Sequence, residues 1–258
     1  MSIDKISVFH ASGTASIGTK NEIKNTVKTE KPETPKEAVD TVDLGSKNQK
    51  TEDGAPAKKK WTVLAYLNGK DGNLQRLAPG TLRELEAAGS DENLNIVAQL
   101  SRQKNIIDRF TKDFSGTFRY EVERNTNPPT MQEEMMNMFI PPYTKNIISP
   151  VVADLGENVN MGDPATLQDF LKWGIEKYPA EHYAVIIYGQ GGGFAGSVAD
   201  ADHKSVIDNK ELAGVMAETA KLAGQKIDVL AFDGNLMAQL EVADQMKDSV
   251  KIMVAPES

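Results

Sequence analysis

From residue 61 onward, short continuous apolar runs alternate with amphipathic stretches. Trp61–Leu67, Leu94–Leu100, Tyr183–Tyr188, Ile227–Phe232 and Ile252–Val254 are rich in β-branched and aromatic residues, and the first is broken by Asn68, Gly69, Asp71, Gly72 and Asn73. Runs of this kind suit strands buried on both faces. Between them the apolar period lengthens to that of a helix. Thr81 and Glu84 match a capping box ahead of Leu82, Leu85 and Ala88, with Gly89 as the stop. Asp163 and Pro164 open a helix with Leu167, Phe170, Leu171, Gly174 and Ile175 on one face. Asp208 and Glu211 open another over Leu212, Val215, Met216 and Thr219, stopped by Gly224, and Asn235–Met246 keeps Leu236, Leu240, Ala243 and Met246 in register. Strands separated by single helices require right-handed crossovers, so the pattern predicts an α/β fold with a mainly parallel sheet and helices on both faces.

Two stretches fall outside this rhythm. Residues 1–60 contain no Trp or Tyr and a single leucine, Leu44, so they bury too little apolar surface to offset their ordering entropy and are expected to form a disordered tail ending at Lys58, Lys59 and Lys60. Residues 101–152 read as an irregular insertion in the domain that spans 61–258. Within it, Phe110–Phe114 and Phe118–Val122 flank Ser115-Gly116 as in a hairpin, and Met131–Phe139 has the spacing of a short helix before Pro141-Pro142. Methionines so spaced are read as packing residues rather than a metal or cofactor box.

Charge and composition then narrow the function. A net charge of -8 leaves no excess of Lys and Arg for phosphates or anionic lipid, so neither nucleic acid nor a membrane surface is an expected partner. The 258 residues include no cysteine, which excludes disulfides, thiolate metal sites and thiol nucleophiles together. There is neither a long apolar run nor a basic start followed by an apolar block, so a soluble chain is expected, cytoplasmic or exported by a non-classical route. The oligomeric state is left open.

In such a sheet the chemistry gathers in loops leaving the carboxyl ends of the strands. One is Gly189-Gln190-Gly191-Gly192-Gly193-Phe194; the other is Asp233-Gly234-Asn235. The glycines signal close backbone approach or a positive φ, and a plain tight turn satisfies both. Gly191, Gly193 and Gly196 also fit a G-x-G-x-x-G spacing, yet Val198–Val206 has no helical period to present amides to a phosphate. On its own, Asp233 or Asn235 reads as a helix N-cap.

The segments WTVLAYLNGKDGNL, GSDENLNIVAQLSR, LGENVNMGDPATLQDFLKWGIEKYPAEHYAVIIYGQGGGFAG and KIDVLAFDGNLMAQLEVADQMKDSVKIMVAPES together resemble the clostripain family of cysteine peptidases. The resemblance implies a caspase-like fold with a His and Cys dyad on two neighbouring strand ends, cleaving after Arg or Lys. It puts Gln190 at the His position and Asn235 at the Cys position, with Gly234 as the small residue before it. A carboxamide can neither exchange protons near neutrality nor attack as a thiolate does. The expectation is therefore a catalytically inactive homologue that binds a peptide or protein with basic residues. Asp233 is implied to line the pocket for the basic side chain, and the amides around Gly191 and Gly192 to form the nest for an oxyanion. Calcium enters through the resemblance alone; the residues themselves indicate no cofactor and no metal site. Family domains run on beyond the part matching Ile252–Ser258, so their C-terminal part is expected to be missing here.

Two other readings stand beside this one. Ser197 and His203 make a conceivable hydrolase pair with a relocated nucleophile, although Phe194–Asp202 has no nucleophile elbow. The third reading is a non-functional fragment. His10 lies in the tail, and His182 precedes its strand, at the far end of the sheet from the loops.

Overall fold

The computed structural model describes residues 8–9, 58–72, 74–104, 108–111 and 113–257. They form an eight-stranded sheet comprising β1 (Val8–Phe9), β2 (Lys59–Gly69), β3 (Leu94–Arg102), β4 (Gly116–Glu121), β5 (Val151–Gly156), β6 (Ala180–Tyr188), β9 (Ile227–Asp233) and β10 (Val250–Val254). A separate hairpin pairs β7 (Val198–Asp200) with β8 (Ser205–Ile207). The helices are α1 (Leu74–Ala88), α2 (Asp108–Thr111), α3 (Met131–Phe139), α4 (Pro164–Lys177), α5 (Asn209–Ala223) and α6 (Leu240–Met246).

The sheet order is β1-β10-β9-β6-β2-β3-β4-β5, parallel from β1 to β3 and antiparallel for β4 and β5. Period-two alternation sorts β2 between two cores. Leu64 and Tyr66 join Phe170, Leu171, Leu212, Met216 and Met246 of α4, α5 and α6, whereas Ala65 and Leu67 join Ala78 and Leu82 of α1. The sheet is thus covered on both faces, as its unbroken apolar strands predict.

Two of the predicted helix starts are observed. Asp163 caps α4 by accepting from Ala165 N, with Pro164 at the first helical position, and Asp208 and Glu211 complete a capping box on α5, which ends at Gly224 in the left-handed conformation. The start of α1 differs: the helix begins seven residues before Thr81, which lies inside it. Pro79 sits in its interior, lacking the N–H that would bond to Gln75 O. That carbonyl instead accepts from Arg102 Nε at 2.8 Å, so a buried guanidinium stands in for the missing donor.

The expected insertion is part of the sheet. β4 lies between β3 and β5, so Phe118–Glu121 pairs with Val97–Leu100 rather than with the stretch from Phe110, whose first two residues end α2. Arg102 organises this region from beneath through Asp113, at 3.2 Å, and the Phe114 and Tyr143 rings. The short Met-rich helix forms as read, with a capping box between Thr130 and Glu133. It lies with its polar side inward. Glu134 takes Arg83 bidentately at 2.7 and 2.8 Å and Asn137 is buried, while Met131, Met135, Met136, Phe139 and Ile140 face solvent.

The expected tail of residues 1–60 lies largely outside the described residues. Within it, Val8–Phe9 pairs with Met253 and Val254 of β10. Lys59 and Lys60 belong to β2, since Lys59 N donates to Pro179 O and its ammonium group to Asp91 O. Among the described residues no helix is long and apolar enough to cross a membrane.

Candidate functional site

β6 and β9 are adjacent and parallel, with Tyr188 opposite Asp233 at their carboxyl ends. The two loops singled out in the sequence therefore leave the sheet side by side. Gly189 N donates to Asp233 O at 3.2 Å, and Asn235 N donates to Gln190 O at 3.1 Å. A Cβ on Gly191, which has φ +67°, would stand 2.2 Å from Asn235 O and 2.6 Å from Asn235 N; one on Gly234 would meet Gly189 O at 2.8 Å. Only glycines let these backbones touch. Gln190 and Asn235 are both exposed at this junction, and Gly191 and Gly192 are partly covered.

After Gly192 the chain makes a single 3-10 turn, Gly193–Ala195, and then enters the β7–β8 hairpin. No helix follows the glycines, so this loop offers no helical amides to a phosphate. The turn is fixed from below: Asn209 Nδ2 donates to Gly193 O at 2.8 Å, and Gln239 packs where a Gly193 Cβ would go.

The second loop corrects the helix expected over Asn235–Met246. α6 starts at Leu240 with Gln239 as its N-cap, so residues 235–236 form a turn, 237–239 are irregular, and neither Asp233 nor Asn235 caps the helix. The cause is tertiary: Asn235 N is committed to Gln190 O, and Leu236 is held at φ +63°. A branched residue in the left-handed region is an outlier, and nothing in the sequence signals it.

Asp233 ends β9 on the face that Tyr188 shares with α1. Partial loss of hydration raises its carboxyl above the usual range even though the residue remains exposed. Glu84 of α1 is also raised, by burial first and then by the charges of Asp233 and Glu134, with Arg83 opposing. Tyr188 is raised by burial and by the same two carboxylates, Asp233 and Glu84. The sequence pattern points to Asp233 but not to Glu84, whose spacing from Thr81 predicts a capping residue and which instead lies within α1, sharing a field with Asp233.

The alternative pair does not assemble. Ser197 is buried with Oγ 3.4 Å from Ile207 O, while His203 Nδ1 lies 3.1 Å from Asp200 Oδ2. His182 sits near the start of β6 against Trp61, with ring centroids 4.8 Å apart, and beside Asp228, at the opposite end of the sheet. A surface hollow of about 510 Å³ lined by Arg119, Asp169, Lys172, Trp173, Glu176 and Lys177 belongs to α4 and β4 rather than to either loop. Among the described residues, no group of three or more His, Asp or Glu is arranged to hold a metal ion.

A sequence profile of the clostripain family matches residues 65–258, a span that includes both loops. The chain belongs to the clostripain family. Clostripain from Hathewaya histolytica is 26% identical over 202 residues, which cover 73% of this chain and 36% of clostripain. A secreted C11 cysteine protease from Bacteroides thetaiotaomicron, solved with an irreversible peptide inhibitor, superposes with a TM-score of 0.55 at 15% identity, covering 74% of this chain and 47% of that one. An inactive zymogen C11 protease from Parabacteroides distasonis gives 0.54 at 15% identity, covering 78% and 49%. These structures share the fold: a mostly parallel sheet with helices, of the caspase-like kind. This clostripain-family chain spans about a third of clostripain and about half of each solved relative. The family is one of cysteine peptidases, and this member contains no cysteine.

Proposed function

We propose that this chain is a catalytically inactive clostripain homologue that binds a peptide or protein partner through a remnant cleft for Arg or Lys. The supporting observation is the junction of the Gln190 and Asn235 loops, joined at 3.1 Å through their backbones on adjacent strand ends, in a chain without a thiol. In this reading Gln190 and Asn235 occupy the two dyad positions. A thiolate and an imidazole there would transfer an acyl group; two amides supply neither nucleophile nor titrating base.

Recognition does not need the dyad. Asp233 stands beside Asn235 with a carboxylate that Arg or Lys can pair, and its reduced hydration strengthens such a pairing. In this reading the amide groups of Gly191 and Gly192, partly covered at the junction, would meet a peptide carbonyl. A relocated nucleophile finds no support, because the Ser197 hydroxyl is directed at a backbone carbonyl and is buried.

The test is the double variant Gln190→His with Asn235→Cys, assayed on fluorogenic peptides ending in Arg or Lys. The parent chain is expected to be silent and the double variant to cleave, and Asp233→Asn added to it is expected to abolish that cleavage. A folded double variant that remains inactive refutes the intact remnant cleft; turnover by the parent refutes inactivity.

A further inference from the structure

The junction of the two loops carries apolar side chains that the fold leaves bare. Phe194 is 80% exposed, Leu240 82% and Leu236 47%. The two loops that carry them pack together. Gly193, next to Phe194, would place a Cβ 2.3 Å from Gln239 Nε2, next to Leu240, and Gly191 packs on Asn235, next to Leu236. Asn209 pins the 3-10 turn from beneath.

Leu236 adds an independent sign. It occupies the left-handed region at φ +63°, where Gly or Asn would sit with less strain, and it still leaves 47% of its surface exposed. Backbone outliers of this kind persist when the surroundings over-determine them and concentrate at ligand clamps and switches. The collar borders Asp233, whose carboxylate shares its field with Glu84.

We propose that this collar selects a polypeptide segment in which bulky apolar residues directly adjoin the Arg or Lys whose cation meets Asp233. The inference rests on the reading of Asp233 given above and adds what must neighbour the cation. Charge argues for this occupant over a second copy of the chain. Two chains of net charge -8 repel each other, whereas a cationic segment is drawn toward Asp233 and Glu84. Apolar neighbours on the segment then cover Phe194, Leu236 and Leu240, since exposed apolar patches bordered by polar residues mark interaction sites.

The experiment uses the full chain and three immobilised synthetic peptides with the cores Phe-Arg-Leu, Ser-Arg-Ser and Phe-norleucine-Leu. Phe-Arg-Leu is expected to bind at least about tenfold more tightly than Ser-Arg-Ser, the loss typical of truncating an interface anchor. Phe194→Ser combined with Leu240→Ser is expected to erase that preference and leave Ser-Arg-Ser binding unchanged. Both positions are exposed, so the variant should fold, and its circular dichroism and melting curve verify this. Equal binding of the two Arg peptides, both lost in Asp233→Asn, overturns the collar and leaves the remnant cleft standing. Binding of the norleucine peptide as tight as that of Phe-Arg-Leu, or no binding at all, overturns both. A concentration-dependent dimer in sedimentation that the double serine variant dissolves overturns the collar in favour of self-association.

Discussion

Gly191→Ala tests most directly whether the two loops touch. The added methyl group would lie 2.2 Å from Asn235 O, 2.6 Å from Asn235 N and 2.7 Å from Gly234 C, all backbone atoms that no rotamer change can move. Moving them to ordinary contact distance displaces the loop by about an ångström and breaks the 3.1 Å bond from Asn235 N to Gln190 O, which costs about 0.5–1.5 kcal/mol. The φ of +67° adds about 1–2 kcal/mol for a residue with a Cβ. The sum is about 1.5–3.5 kcal/mol, a fall in Tm of roughly 3–14 °C for a domain of this size. Urea and thermal unfolding provide the measurement. Gly214→Ala is the control, since nothing stands within 4 Å of its Cβ position in α5, and helix propensity predicts a gain of about 0.5–1 kcal/mol. A Gly191→Ala variant that unfolds within about 0.5 kcal/mol of the parent refutes the contact, and with it the pairing of Gln190 and Asn235 across adjacent strand ends.

Asp233 has a folded-state pKa above its unfolded value, so its contribution to stability is fully present below the unfolded pKa and is lost as pH rises through the folded one. Asp233→Asn should therefore be more stable than the parent at neutral pH, with the advantage closing in acid; a constant difference across the titration contradicts this. Arg83 is buried, pairs with Glu134 at 2.7 Å and donates to Tyr143 O, so Arg83→Ala is expected to cost about 3–5 kcal/mol by chemical denaturation, and a loss under 1 kcal/mol argues against the anchoring of α3. Asn209→Ala removes the donor to Gly193 O and should cost about 1–2 kcal/mol, with hydrogen exchange rising at residues 193–196; unchanged exchange there means the turn is held by other contacts.

What the sequence made legible was local or periodic. Asp163-Pro164, the box of Asp208 with Glu211, and the stop at Gly224 are short-range hydrogen-bond devices, and each acts where its pattern lies. The site loops were legible because topology alone carries loops to the carboxyl ends of neighbouring strands. The misreadings share a tertiary cause. Thr81 and Glu84 match a capping box in isolation, but α1 starts at Leu74 and runs through Pro79, because Arg102, a strand away, takes over the carbonyl that Pro79 leaves without a donor. The pattern gives the Phe118–Val122 strand the wrong partner and hides β5, because the antiparallel pairing of β4 with β3 and of β5 with β4 depends on partners distant in sequence. Leu236 could not be foreseen, since a leucine carries no hint of a positive φ.

The inverted placement of α3 has a consequence for redox chemistry. Met131, Met135 and Met136 sit in water, whereas Met161, Met216, Met237, Met246 and Met253 are sealed in the larger core. Peroxide will reach the first three thioethers while the chain stays folded, turning a greasy outer ridge into a polar one and leaving the interior sulfurs reduced. The protein thus carries its oxidisable surface on a helix whose grip on the body, through Glu134 and Asn137, contains no sulfur at all.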